Sequence, residues 1–170
     1  VHIENLAGHA IPSGATAERQ MWLHILVRGP DGNILFESGK LDARGDLMDG
    51  NPKHTLEPDG DPQLVKFAQD FLDAPQTEIA NDALYFDHVV AMPWEAAGFK
   101  NNLINVEETK TLTYDLRLSA IPAGSTATII LKFRSFPMYF LRLLEEEGGL
   151  DTSIKDRVPT VQMQQVRITL

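Results

Sequence analysis

Several segments of the chain alternate apolar and polar residues with a period of two, as in a strand with one buried face. In QMWLHILVR (Gln20–Arg28), the residues Met21, Leu23 and Ile25 fall on one side. The residues GPDGN follow, a sequence typical of a tight turn, and lead into ILFES (Ile34–Ser38). These two segments are predicted to form an antiparallel β-hairpin.

A second pair of segments shows the same alternation. TLTYDLRLS (111–119) and TATIILKFR (Thr126–Arg134) are separated by the turn-like residues IPAGS. The apolar positions expected to point inward are Leu112, Tyr114, Leu116, Leu118, Ala127, Ile129, Leu131 and Phe133. We expect the two segments to pair as a hairpin or as neighbouring strands.

Both ends of the chain also have strand-like sequences, VHIEN and VQMQQVRITL. In the second segment the apolar positions change phase, because Val161 and Met163 are odd whereas Val166 and Ile168 are even. One extra residue near 164–165 would return them to a single face, so a β-bulge is predicted there.

Two segments have helical rather than strand-like spacing. PQLVKFAQDFLD (62–73) forms an apolar stripe, and PMYFLRLLEEEGG (137–149) begins with a proline and ends at glycines. Residues 41–61 are rich in Gly, Asp, Asn and Pro and are predicted to form one long loop. Together the elements predict a single, mainly β domain over 1–170. It would be an antiparallel β-sandwich, immunoglobulin-like in general shape, with two short helices.

Composition narrows the classes of function. The 170 residues are 43% hydrophobic and 23% charged, as in a globular protein, and the net charge of -9 disfavours nucleic acid as a partner. The chain has no cysteine, so it has no disulfide and no C-x-x-C-H site for covalent haem. No apolar segment is long enough to cross a membrane. Since Val1 is not a start residue, we expect a fragment of a longer protein.

His9 lies in the segment NLAGHAIPSG, where glycine and proline constrain the backbone. Gly8 is interpreted as permitting a backbone conformation that other residues avoid, and Pro12 fixes its own φ. Gly14 is expected to allow the chain to enter the next turn. A histidine on such a corner could reach outward as a ligand or hydrogen-bond donor. Alternatively, it bonds to neighbouring carbonyls and only fixes the corner.

The remaining histidines suggest no zinc site, because no pair has the spacing of metal ligands. His24 and His88 alternate with apolar residues and are interpreted as partly buried, whereas His54 in the acidic loop is expected to be solvated. The chain also lacks a G-x-S-x-G motif and a glycine-rich phosphate loop. We therefore expect no enzymatic activity.

The loop carboxylates are weak candidates for calcium ligands. Those considered are Asp46, Asp49, Asp59 and Asp61. Their spacing does not match an EF-hand, so ordinary solvated carboxylates are the alternative.

Aromatic residues offer a possible contact surface. Phe133 and Phe140 are expected in the core, whereas Trp94, Phe136 and Tyr139 are candidates for contact with a partner.

Several motifs together resemble a known family. They are N-x-x-GH-x-x-P-x-G (5–14), R-x-x-W-L-x-x-x-V (19–27), DG-x-x-x-x-x-SG-x-L-D (31–42), PWEA (93–96) and LKFRSFPMYFLRLL (131–144). They resemble the haem-free C-terminal β-sandwich region of bacterial multihaem c-type cytochromes. The first forty residues carry the resemblance best, and residues 45–81 contribute almost nothing.

The resemblance implies a periplasmic or extracellular module that takes part in electron transfer without catalysing a reaction. Haem c is then expected on an upstream part of the full-length chain. The module would pack on that haem domain or dock a redox partner. The candidates for facing the haem or the partner are His9, Pro12, Trp94, Phe136 and Tyr139. An alternative from another class is an extracellular calcium-dependent module that binds a carbohydrate or a protein.

Overall fold

The computed structural model describes residues 1–14, 18–57, 59–74, 89–90, 92–117 and 119–170. The strands described are β1 (His2–Glu4), β2 (Gln20–Arg28), β3 (Ile34–Ser38), β4 (Lys66–Phe67), β5 (Gln69–Leu72), β6 (Val89–Val90), β7 (Gly98–Asn101), β8 (Thr109–Thr111), β9 (Thr126–Arg134) and β10 (Val161–Thr169). Among the described residues, the helices are α1 (Met138–Gly148) and two 3₁₀ helices, Pro93–Glu95 and Thr152–Arg157. The chain is therefore mainly β with antiparallel sheets, as predicted. His88 and Leu118 lie outside the described residues.

The main sheet has the strand order β10-β9-β2-β3, and β4 also pairs with β2. The predicted hairpin of β2 and β3 is confirmed, with a register irregularity between Val27 and Arg28. The odd-numbered side chains of β2 enter the core, where Met21, Leu23 and Ile25 are almost completely buried. Alternation along this strand thus predicted its structure and the face that enters this core, although Trp22 on the opposite face is also fully buried.

The predicted bulge in the last strand is also confirmed. The pairing of β10 with β9 shifts register between Gln162 and Gln164, so Met163 is the extra residue. It lies one position before the predicted site. On both sides of it, apolar residues of β10 pair with odd residues of β9, such as Val166 with Ile129.

The core lies between the main sheet and a second layer that contains β1 and β8. The predicted pairing of 111–119 with 126–134 is wrong. Within 111–117 only Thr111 belongs to a strand, β8, and β8 pairs with β1. Both edges of β9 are already taken by β2 and β10. Leu112 and Tyr114 still pack on the core, because the period-two pattern specifies the buried face and leaves the partner open.

The helix predicted over 62–73 is wrong as well. Two short strands, β4 and β5, occupy this segment, with β4 paired to β2 and β5 to β6 and β7. Phe67 and Leu72 are fully buried in this arrangement. Available strand partners outweighed the helical spacing, since a short apolar run is compatible with either structure.

The second predicted helix is confirmed as α1. Phe140 and Leu141 are its buried residues, and the helix includes Gly148. Gly149 ends it in the left-handed conformation, with its N–H donated to the Leu144 carbonyl. Among the described residues, no helix is long and apolar enough to cross a membrane.

Residues 41–61 form a loop, as predicted, but the loop is packed against the protein. Leu47, Asp46, Asn51 and His54 are buried. The expectation that His54 is solvated is therefore wrong, since its exposed fraction is 6%. Its ring stacks on Tyr139 of α1 with the ring centres 3.6 Å apart, a contact that the sequence does not reveal.

Candidate functional site

The N-terminal corner is held by the side chain of Asn5, which lies directly after β1. Its Nδ2 donates to the carbonyl oxygens of His9, Ile104 and Asn105, each at 2.9 Å. Its Oδ1 accepts from the N–H of Ala7 at 2.9 Å. Because Asn5 is only 1% exposed, these bonds are shielded from water. One buried amide thus joins the loop that carries His9 to a segment about a hundred residues later.

The His9 ring itself is exposed. Its Nδ1 lies 3.0 Å from the Ala10 carbonyl oxygen. A carbonyl oxygen only accepts, so Nδ1 carries the hydrogen of this bond, and the lone pair of the neutral ring is on Nε2. Metal-ligating histidines have this arrangement, in which one nitrogen is fixed by a carbonyl and the other is left for the metal.

The rest of the corner is tied to the same neighbours. Ile11 exchanges two backbone hydrogen bonds with Ile104, each at 2.9 Å, and the buried Pro12 follows through a cis peptide bond. Gly14 has a φ of 81° and lies against the guanidinium of Arg19, which donates to the Ser13 carbonyl.

Gly8 does not have the role that the sequence suggested. It does not adopt a positive φ, and a Cβ at this position would meet nothing within 4 Å. Gly8 therefore does not provide an unusual backbone conformation, and the space around it would also admit a side chain.

Two exposed apolar residues flank the histidine corner. Leu6 is 83% exposed and Val106 is 49% exposed. Leu6 follows Asn5, and Val106 follows Asn105. The Asn5 side chain donates to the Asn105 carbonyl, which joins the two segments. The corner thus presents both an imidazole and apolar side chains to solvent. Asn5, Leu6 and Val106 were not among the predicted site residues, although an asparagine that ends an apolar strand was a visible signal.

The aromatic candidates lie elsewhere. Tyr139 and the 3₁₀ helix Pro93–Glu95 border a cleft of about 380 Å³, and Trp94 on that helix is exposed. Burial raises the pKa of the Tyr139 hydroxyl above its ordinary value. Phe136 is also exposed, and its ring stacks on Phe140 with the centres 6.3 Å apart. The described contacts therefore place the aromatic candidates around α1, and His9 and Pro12 in the N-terminal corner.

Asp46 is bonded to other residues of this chain. It is completely buried, accepts from the N–H of Tyr139 at 2.7 Å, and forms an ion pair with Arg142. Burial raises the pKa of the Asp46 carboxyl, although Arg142 and Arg134 favour its charged form. Both carboxylate oxygens thus have partners within the protein.

The other candidate carboxylates are placed separately. Asp49 accepts from His54 at 2.9 Å, and Asp61 accepts from Ser38 and the N–H of Gly39 at 2.8 and 2.7 Å. Asp59 is exposed. Among the residues that the structure describes, no group of three or more His, Asp or Glu side chains is arranged to hold a metal ion.

Comparisons with known proteins found little similarity in sequence. No protein-family model matches the chain, and no curated protein matches it. Among solved structures, the chain is similar to a penta-haem cytochrome c552 from Thermochromatium tepidum, with 19% identity and a TM-score of 0.59. The match covers 99% of this chain and 34% of that protein. At this identity the similarity shows the fold. The chain spans about a third of the length of that cytochrome.

Proposed function

We propose that the chain is a non-catalytic β-sandwich module of a bacterial multihaem c-type cytochrome, located in the periplasm or outside the cell. It packs on the haem-bearing part of the protein or docks a redox partner. His9 would face a haem, and its imidazole would be a ligand to the iron of a haem attached elsewhere. The fold similarity to a penta-haem cytochrome supports the setting, and the N-terminal corner supports the role of His9.

The observation that carries the proposal is the orientation of the His9 ring. The Ala10 carbonyl fixes the hydrogen on Nδ1, and Asn5 fixes the His9 backbone. A ligand held in one tautomer and one position loses little conformational entropy when it binds. A neutral imidazole nitrogen is a usual axial ligand of haem iron.

The chain could supply a histidine ligand to a haem iron, but it could not attach a haem covalently. Covalent attachment needs a cysteine pair followed by histidine, and the chain contains no cysteine. The haem must therefore be attached to another part of the protein or to a partner, and His9 would approach it from outside. A bound haem iron would supply the one-electron redox chemistry, whereas this module would position the ligand.

The acidic surface favours a basic partner. With a net charge of -9, the module would attract a positively charged redox protein over a distance set by the ionic strength. Leu6 and Val106 would supply apolar contacts at the corner, where exposed apolar surface is available. Association driven in this way is faster at low salt than at high salt.

The experiment uses the native haem-bearing protein with His9→Ala in this module. Loss of the axial imidazole is expected to convert one low-spin haem to a high-spin form, detected by absorption and electron paramagnetic resonance spectra. Added imidazole should restore the low-spin signal. The matched control is His2→Ala, because His2 is also exposed and its Nδ1 bonds to Thr111 Oγ1 at 3.0 Å. Identical spectra for wild type and His9→Ala would refute the ligand role.

A further inference from the structure

β10 is a long strand with one free edge. In the part of the chain that the structure describes, it pairs only with β9, and each of its nine residues is exposed. The Leu170 N–H donates to the Ser125 carbonyl, and the Leu170 carbonyl accepts from the Gly124 N–H. The main-chain polar groups of Leu170 therefore point toward the β9 side of the strand. Since these groups alternate along an antiparallel strand, those of Gln165 and Arg167 point away from β9.

The side of β10 that faces the core is apolar and incompletely covered. Val161, Met163, Val166 and Ile168 are each 44–48% exposed. A groove of about 560 Å³ runs between the even residues of β10 and the short strand β1. The groove floor is formed by core residues of β9, including Ile129 and Leu131. In the described part of the chain, the core thus continues to this edge of the sheet without a cover.

The charge distribution distinguishes this edge from the rest of the molecule. The segment 161–170 contains no carboxylate and only one charged residue, Arg167, whereas the whole chain has a net charge of -9. At the opposite edge of the sheet, β3 carries Glu37. A charge on an edge strand protects it from pairing, whereas the regular part of β10 that follows the bulge at Met163 carries no carboxylate side chain.

We propose that β10 is a self-association edge, on which a second copy of this chain pairs through its own β10. Two antiparallel copies of one strand are self-complementary about a two-fold axis, which is the usual symmetry of a homodimer. The acidic surfaces of two copies repel each other elsewhere, so the carboxylate-free edge is where they approach at least electrostatic cost. Pairing joins the two main sheets into one continuous sheet.

Charge and strand direction select the register. An axis through Arg167 would place two arginines opposite each other on one face, which is unfavourable. An axis at Val166 places Val166 opposite its counterpart and brings Gln165 opposite Arg167 of the second copy. In this register the outward main-chain N–H and C=O groups of Gln165 and Arg167 can bond to those of the second copy. The apolar faces of the two β10 strands, which line the grooves, then lie side by side.

The first test is the oligomeric state of the 170-residue chain, measured by sedimentation velocity between about 5 and 500 µM, a range that covers weak dimers. We expect a concentration-dependent dimer. Val166→Glu should raise its dissociation constant at least about tenfold, because two carboxylates would face each other at the axis. The matched control is Ile34→Glu on β3, also half-exposed, which should leave the dissociation constant unchanged.

The second test uses the absence of native cysteine. Val166→Cys should form an intermolecular disulfide on mild oxidation, because non-hydrogen-bonded pairs bring Cα atoms within disulfide range. Ile34→Cys should crosslink much more slowly. A chain that is monomeric throughout the concentration range would overturn the proposal. So would a dimer that Val166→Glu leaves intact or that fails to crosslink through Val166→Cys.

Discussion

Replacing Asn5 with alanine tests the physical basis of the N-terminal corner. The amide contributes two hydrogens, shared among three carbonyls, and accepts one further bond from Ala7. At about 1 kcal/mol for each of the three hydrogens involved, the loss is about 3 kcal/mol, and buried carbonyls left unpaired would add to it. For a chain of this size, 3 kcal/mol corresponds to a fall in Tm of about 6–12 °C.

Urea denaturation measures this loss, with the slope m checked for constancy. Hydrogen exchange should at the same time become faster at the amides of Ala7 and Ile11, since both lie in the corner. Asn33→Ala is the control, because Asn33 is exposed in a turn and its replacement should change stability by no more than about 0.5 kcal/mol. A loss below about 1 kcal/mol for Asn5→Ala, or one equal to the control, would refute the view that this amide holds the corner.

Three further predictions concern other parts of the fold. At Gly39, φ is 78° and a Cβ would overlap a carbonyl of β2, so Gly39→Ala should cost at least about 3 kcal/mol in urea denaturation. Gly32→Ala, with φ 85° in open space, should cost only about 1 kcal/mol, and equal losses would count against the steric argument. Asp46→Ala removes the buried carboxylate that pairs with Arg142 and accepts from the Tyr139 N–H, and should cost about 3–5 kcal/mol in thermal melts. The exposed Asp59→Ala should stay within about 0.5 kcal/mol, and similar losses for the two would contradict the buried ion pair. For Asp42, burial opposes ionisation, but hydrogen bonds from the surrounding loop outweigh it and lower the pKa of the carboxyl below 3.8. The ionised carboxyl therefore stabilises the folded protein above pH 3.8, and this contribution is lost as the pH falls through the lowered pKa. The stability difference between wild type and Asp42→Asn should shrink accordingly on acidification, and an NMR titration placing that carboxyl above 3.8 would disprove the assignment.

The parts of the fold that were predicted correctly depend on local information. The β2–β3 hairpin is specified by alternation on both sides of a glycine-containing turn, and α1 by its apolar stripe and terminal glycines. The bulge near Met163 was visible because the phase of apolar residues changes within a single strand. Each of these signals is local in sequence, and the longest is the hairpin over 20–38.

The errors arose where distant partners decide the structure. The apolar spacing of 62–73 suits a helix as well as two short strands, and the choice depends on pairing with β2 and β7. In the same way, the alternation after Thr111 identifies buried side chains but does not reveal that β9 already has two partners. Strand pairing is a property of the whole chain, which a local window does not contain.

The candidate site was predictable in part for the same reason. Glycine and proline around His9 indicated a constrained corner. The bonds from Asn5 to Ile104 and Asn105 could not be inferred, because about a hundred residues separate them in sequence. The burial of His54 against Tyr139 was missed because polar loop sequences usually remain solvated.

The most direct test of the proposed function is the size and haem content of the native protein. An antibody against this module would isolate the natural polypeptide for intact-mass measurement and staining for covalent haem. The account predicts a haem-positive chain much larger than 18.9 kDa, or a stable complex with a haem-bearing chain. A haem-free polypeptide that isolates without any haem-bearing partner would contradict it.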